Sequence, residues 1–321
     1  MKKIYQMRNL TDDDTIINKY DFFLFAANSD QRCYRVISKL KSIGCPIGNT
    51  IVFDYEKLRP KKSSSEDQSS NKKYNEFEIY HPNVILNCSN DDDDVKFLYN
   101  SDINDISTIG LDITGFTIPD VFRILYVLKE FKKIKLLHVF YTEPKHYLFK
   151  DIFFDTYEYL IGERTYQAIP EYYITNDTDM EILVCFLGFD KSVSNILYEK
   201  AIPNETVVVN GFPSYLPKLK EISLLNNYSL LTTDIDKGAQ FFAKANNPFS
   251  SYNTLCDIRK KYPKGVMNIC VLGTKPMALG ACMFALDNLS NVKVTYLYPQ
   301  NYSSNTTEES NNSWHFFIEF D

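Results

Sequence analysis

The turn Gly273-Thr274-Lys275-Pro276 gathers, within four residues, the groups that hold a phosphate. A glycine lets the backbone come close to a ligand, a threonine brings a hydroxyl, and a lysine brings a compact positive charge. The apolar run Met267–Leu272 precedes the turn, and Met277–Asn288 reads as a helix after it. The turn's N–H groups and the positive end of the helix dipole therefore favour an anion. The pattern is neither Gly-x-x-x-x-Gly-Lys-[Ser/Thr] nor Gly-x-Gly-x-x-Gly. Glycine turns of this kind also occur without any ligand, so a purely structural turn stays open. Gly280 reads as close packing of the helix on a sheet.

Three more loops join an apolar strand to a helix: 28–32, 114–119 and 187–191. They offer Ser29 and Arg32, then Thr114 and Thr117, as further ligand-binding candidates, and Ser29 or Asp30 as a helix N-cap. Solvated positions on the helix surface remain the plain alternative for Arg32 and Arg35. Asp112 lies inside the run Leu-Asp-Ile-Thr, where a buried carboxylate needs a partner or a raised pKa. It is a catalytic candidate, and capping of the following loop is the alternative. Asp190 and Lys191 are candidates for acid–base work or phosphate contact. His146, near Tyr141 and Glu143, completes the only polar cluster with catalytic potential. No Ser–His–Asp or Cys–His spacing is present, and no metal site is expected. The seven cysteines contain no Cys-x-x-Cys pair, so they read as buried reduced thiols rather than disulfides or zinc ligands.

The elements that must position these residues repeat. Phe22–Ala27 corresponds to Ile182–Phe186, Thr50–Asp54 to Thr206–Asn210, Ile109–Gly115 to Ile269–Gly273, and Ile134–Tyr141 to Val292–Tyr298. Pro119 and Pro276 stand at equivalent helix starts. Short buried strands alternating with helices give the fold class: α/β, with duplicated Rossmann-like units, mainly parallel sheets and helices on both faces. The expected division is 1–175 and 176–321, with the halves in one sheet or in two. Residues 60–76 read as a mobile polar insertion, and Asp91–Asp94 as a helix N-terminus rather than a calcium loop. Asn301–Ser313 reads as a loop before a final edge strand, Trp314–Phe320.

The segment Asn268-Ile-Cys-Val-Leu-Gly-Thr-Lys-Pro-Met-Ala-Leu-Gly280 resembles the strand–Gly-Thr-Lys-x-Met–helix signature of CRISPR-associated Rossmann fold (CARF) sensor domains. That resemblance implies a nucleotide pocket at Gly273, Thr274, Lys275 and Met277, with a cyclic oligoadenylate as the family's ligand. Leu272 stands where the family has a second glycine. The first half carries Thr114-Gly115-Phe116-Thr117 without a lysine, so a symmetric pair of lysine-bearing sites is not expected.

A net charge of −6 and pI near 5.4 argue against duplex DNA binding. No apolar run approaches a membrane span, and the first residues lack a signal-peptide core, so a cytoplasmic location is expected. Three function classes remain. The first is a sensor or accessory protein for a nucleotide or another phosphorylated small molecule, in phage defence. The second is a metal-dependent enzyme processing nucleotides or nucleic acid through Asp112 or Asp190. The third is a non-enzymatic subunit that binds a protein partner within a larger effector.

Overall fold

The computed structural model describes residues 7–10, 19–28, 30–55, 84–87, 97–98, 108–131, 134, 136–148, 160–174, 180–190, 193–232, 239–303 and 307–320. The segments 60–76 and 91–94 lie outside the described residues. In chain order the elements begin with β1 (Met7–Asn9), β2 (Tyr20–Ala27), a short 3-10 turn (Gln31–Tyr34) and α1 (Arg35–Ser42). They continue with β3 (Ile47–Asp54), β4 (Val84–Asn87), β5 (Thr108–Asp112), α2 (Ile118–Glu130), β6 (Leu136–Tyr147) and β7 (Leu160–Ala168). The second series is β8 (Glu181–Phe186), α3 (Val193–Ala201), β9 (Glu205–Gly211), α4 (Leu219–Asn226), α5 (Tyr228–Thr232), β10 (Gln240–Ala243) and α6 (Pro248–Lys261). It closes with β11 (Val266–Val271), α7 (Lys275–Asp287), β12 (Val292–Tyr302) and β13 (Thr307–Glu319).

The fold is α/β, with two mainly parallel sheets. Seven strands form one sheet in the order β1-β13-β6-β5-β2-β3-β4, and six form the other in the order β10-β9-β8-β11-β12-β7. In the first sheet β4, β3, β2, β5 and β6 run parallel, and in the second so do β10, β9, β8, β11 and β12. Each series has the 3-2-1-4-5 order of a doubly wound sheet. The direction of winding therefore switches between β2 and β5, and again between β8 and β11.

The chain divides into two compact units that are not consecutive in sequence. One comprises Met1–Thr117, Val127–Leu148 and Asn301–Asp321; the other comprises Ile118–Tyr126 and Phe149–Gln300. The C-terminal β13 joins the first sheet, antiparallel to β6, whereas β7 lies beside β12 in the second. Strand β13 is thus not the edge strand that its alternation implies, because three-residue β1 pairs along its outer side. Nor is Asn301–Ser313 a simple loop, since β12 continues to Tyr302 and β13 starts at Thr307. Ladder hydrogen bonds to the extended end of β6 hold these polar residues, so burial is not what fixes them.

Right-handed crossovers place α3, α4 and α5 on one face of the second sheet and α6 and α7 on the other. Accordingly, α6 packs along α7, and α5 meets both α3 and α4. Gly280 makes the first contact possible: a Cβ there would run into the Pro248 carbonyl, so this glycine serves helix–helix packing rather than packing of the helix on the sheet. Of the described cysteines, Cys33, Cys45, Cys185, Cys270 and Cys282 are buried, Cys256 is half-buried, and all are free thiols. Burial pushes the Cys185 thiol up to about 12 and raises Cys270 well above its ordinary value, which keeps both protonated.

The core of the first unit gathers Tyr20, Phe23, Phe25, Val36, Ile37, Leu40, Val52 and Phe140. Against it lies a buried histidine pair, with His138 Nδ1 and His315 Nε2 2.9 Å apart and His315 stacked on Phe140. Burial lowers the His138 pKa from 6.5 to about 4. The unfolded chain therefore binds this proton more tightly than the folded one. The resulting stability is complete above pH 6.5 and is lost as pH falls towards 4, on the order of 3 kcal/mol. Thermal unfolding between pH 7.5 and 4 should show a steep fall in Tm across that window, and a shallower one in His138→Phe. Equal slopes would refute the assignment.

Candidate functional site

At the switch point of the second sheet, the loops after β8 and β11 stand side by side. Leu272 N donates to the Phe186 carbonyl, and a Cβ on Gly188 would run into the Leu272 carbonyl oxygen. Side chains from the α4–α5 junction fix the β8 loop. Ser223 Oγ and Asn227 Nδ2 donate to the Gly188 carbonyl at 3.1 and 3.0 Å, and Asn226 Nδ2 donates to the Phe189 carbonyl at 2.6 Å. In a trans peptide the N–H points opposite to the C=O. With both carbonyls turned to α4 and α5, the N–H groups of Phe189 and Asp190 turn away from those helices. The opposite face of the sheet is the one that carries α7.

The N-terminus of α7 is built by Thr274. Its Oγ1 caps the helix by accepting from Met277 N at 3.4 Å, and its hydroxyl proton goes to the Ala245 carbonyl. Lys275 is the first helical residue and is half-buried, followed by Pro276, whose missing N–H suits that turn. Gly273 is half-buried at the strand end, while Met277 is fully buried. The Met277 sulfur would lie 3.2 Å from a Cβ on Gly273 and 3.5 Å from one on Gly211. Strand β9 thus ends on Gly211, and Gly188 and Gly273 lie two residues beyond the ends of β8 and β11, which leaves these three positions without side chains. Met277 therefore supports this floor from below and does not project as a contact residue. Asp190 is half-buried on the β8 loop; Lys191 lies outside the described residues.

The first sheet treats its switch point differently. Asn28, after β2, spans to the β5 loop through Nδ2 donating to the Gly115 carbonyl at 3.0 Å. Its Oδ1 accepts from Asp30 N at 2.8 Å. Asp30 is the N-cap of the following turn, and it grips the Arg32 side chain through both carboxylate oxygens. Arg32 also donates to the Thr142 carbonyl and to Thr307 Oγ1. Burial works to lower the Arg32 pKa, but the Asp30 carboxylate and the nearby tyrosines outweigh it, and the net shift is upward. The guanidinium is thus bound within the protein itself.

Asp112 is buried, and its Oδ1 accepts from both the N–H and the hydroxyl of Thr114. Thr114 Oγ1 in turn accepts from Thr142 N at 2.9 Å. Asp112 and Thr114 therefore cap the turn after β5 and lock it to β6. Thr117 is half-buried ahead of α2, and Ser29 lies outside the described residues. Glu143 is buried and accepts the Trp314 indole N–H at 2.6 Å, whereas His146 is exposed further along β6. Among the described residues, no group of three or more His, Cys, Asp and Glu side chains is placed to hold a metal ion.

No protein-family model matches the chain, and no curated protein is significantly similar to it. Solved structures with a related arrangement include a universal stress protein from Archaeoglobus fulgidus DSM 4304, at 10% identity and a TM-score of 0.25, covering 88% of this chain and 97% of that one. Another is a putative universal stress protein from Pseudomonas aeruginosa UCBPP-PA14, at 9% identity and a TM-score of 0.25, covering 88% of this chain and 94% of that one. These likenesses carry no functional statement.

Sequence reasoning missed the three polar side chains that orient the β8 loop, Ser223, Asn226 and Asn227. The two glycines of the site respond differently to a methyl group. Gly188→Ala runs into the Leu272 backbone and should lower stability by about 2 kcal/mol, whereas Gly273→Ala meets the flexible Met277 thioether at 3.2 Å and the Leu187 carbonyl oxygen at a tolerable 3.3 Å, and should cost less, about 1 kcal/mol. Urea denaturation of both variants checks this, and comparable losses would show that the loops are not in the stated contact.

Proposed function

We propose that the second unit binds the phosphate of a nucleotide or similar small molecule at its β8–β11 switch point, and that the chain serves as a ligand-binding sensor or accessory protein. The observation that carries this reading is the pinned β8 loop. Two successive amides face away from α4 and α5, on the side where Thr274 and Lys275 open α7. Backbone N–H groups, a helix dipole and a lysine are the standard means of holding a phosphate without a metal. The glycine floor gives a ligand access to that backbone.

The first unit supplies the contrast. Asn28 spans its switch point, and Arg32 is neutralised by Asp30. On this reading the lysine-bearing site belongs to the second unit, in keeping with the lysine-free Thr114–Thr117 turn of the first. The resemblance of Asn268–Gly280 to CARF sensor domains favours the same pocket, and a role in phage defence is part of this proposal. As a sensor the chain needs two states to which the ligand binds unequally. The identical 3-2-1-4-5 order in both sheets supports descent from one duplicated unit, with the last strand of each series paired in the sheet of the other.

Isothermal titration with inorganic pyrophosphate and with adenosine 5′-monophosphate tests the site. Lys275→Ala should weaken both ligands by about tenfold or more, as expected for loss of one charge-assisted contact, and Lys275→Arg should restore part of that. Affinity should also fall with added salt. Absence of binding at millimolar ligand, or an unchanged affinity in Lys275→Ala, would overturn the proposal.

A further inference from the structure

The edges of the two sheets differ in length. Among the described strands three edges are short: β1 has three residues, and β4 and β10 have four each. The fourth, β7, has nine, so its outer side is a row of main-chain groups about 30 Å long. Long edge strands template pairing with another chain, and proteins cover or interrupt them. Gly162, with φ +83°, interrupts β7 only near its start, and Glu163–Ala168 follows it within the strand.

The direction and facing of β7 follow from two contacts with β12. A Cβ on Gly162 would meet the Gln300 side chain, and Ile169 N donates to the Val294 carbonyl at 2.9 Å, so the two strands are antiparallel. Main-chain groups point alternately to the two neighbours of a strand. Ile169 faces β12, hence Gln167, Thr165 and Glu163 do also. Ala168, Tyr166 and Arg164 therefore present their N–H and C=O groups to the outer edge. Side chains alternate between the two faces of the sheet. Tyr166 turns to one face, where its hydroxyl accepts from Asn268 Nδ2 at 2.8 Å, and Glu163, Thr165 and Gln167 stand exposed on the other.

We propose that β7 pairs with β7 of a second copy of this chain, antiparallel about a two-fold axis at Thr165. The strand's own sequence argues for a copy of itself as the occupant. With the axis at Thr165, Arg164 lies opposite the partner's Tyr166, a cation beside a ring, and Glu163 lies opposite the partner's Gln167. The two threonines face each other, a favourable cross-strand pair. No like charges meet, whereas an axis at Arg164 would set two guanidinium groups opposite one another. The positions that bond across the Thr165 axis are Arg164 and Tyr166, both outward-facing, so each copy donates two main-chain hydrogen bonds and accepts two. Glu163 and Arg164 also cancel within the strand, so the chain's net charge of −6 is not carried at this edge. The pairing joins the six strands of each copy into one sheet that ends at both sides on four-residue β10. A two-fold interface of this kind closes on itself and does not propagate.

Sedimentation velocity of the full chain at micromolar concentration should show a monomer–dimer equilibrium. Proline is tolerated at an edge position whose N–H faces outward, so Arg164→Pro should fold and weaken the dimer by about tenfold or more. Arg164→Ala, which keeps that N–H, should weaken it by no more than about threefold. Thr165→Lys sets two ammonium groups against each other at an exposed position, and it gives the same readout if circular dichroism shows Arg164→Pro unfolded. Thr165→Cys tests the axis. Directly opposed residues that are not hydrogen-bonded have Cα atoms about 4.5 Å apart, so diamide should oxidise the two new thiols to an intersubunit disulfide. Gln167→Cys and the wild type, treated alike, should not crosslink. A dimer unaffected by Arg164→Pro and Thr165→Lys overturns the proposal. A monomer at every concentration also overturns it and leaves the edge to a strand of another protein. A dimer that these substitutions dissociate, but in which Thr165→Cys forms no disulfide, overturns the axis.

Discussion

Where two neighbouring parallel strands send their crossovers in opposite directions, neither crossover covers the gap beyond their carboxyl ends. Such a gap must be filled by side chains, by water or by a ligand, because the backbone groups around it still need hydrogen-bond partners. This chain meets the constraint twice, between β2 and β5 and between β8 and β11. The first is met with polar side chains of the protein: Asn28 spans it, and the Asp30–Arg32 pair closes its rim. The second is met with glycines, a capped helix start and a lysine. Everything proposed about ligand binding follows from that difference.

The second arrangement has an energetic cost that shows in the polar atoms. Asn227 is buried and gives its Nδ2 to the Gly188 and Ser223 carbonyls, while its Oδ1 has no hydrogen-bond partner among the described residues. Ser194 Oγ, at the start of α3, has none either. An unsatisfied buried polar atom costs about 1–3 kcal/mol, which is more than a typical hydrogen bond returns. A loop that needed only to connect β8 with α3 would be better served by an apolar residue at position 227. Holding the Gly188 carbonyl, beside Asn226 on the Phe189 carbonyl, gives the asparagine a purpose.

Much of this architecture was legible in the sequence because it rests on short-range pattern. The runs at Phe22–Ala27, Ile182–Phe186 and Ile269–Leu272 are continuous and apolar, as strands covered on both faces must be. The Gly273-Thr274-Lys275-Pro276 turn also signals itself, since an N-cap threonine followed by proline is a local requirement of a helix start. The pinning of the β8 loop is not local. Ser223, Asn226 and Asn227 lie more than thirty residues beyond their acceptors and look like any polar helix surface. Strand β13 is not legible in the same way, because half of it is polar and its place beside β6 depends on a partner far away in the chain.

That misplaced strand bears on why the two switch points diverged. Arg32 is held not only by Asp30 but by the Thr142 carbonyl of β6 and the Thr307 hydroxyl of β13, and Arg35 reaches Ser310 on the same strand. Thr114, capped by Asp112, is bound to Thr142, whose own hydroxyl pairs with Ser313 at 2.8 Å. The carboxyl end of the first parallel set is therefore wired into the long β6–β13 ladder. A ligand entering there would have to displace hydrogen bonds that also hold the C-terminal strand in its sheet. In the second unit the corresponding fixings run from α4 and α5 to two carbonyls of the β8 loop. Two copies of one topology can thus divide the labour: the ladder of the first commits its loops to structure, and the proposed ligand site falls to the second.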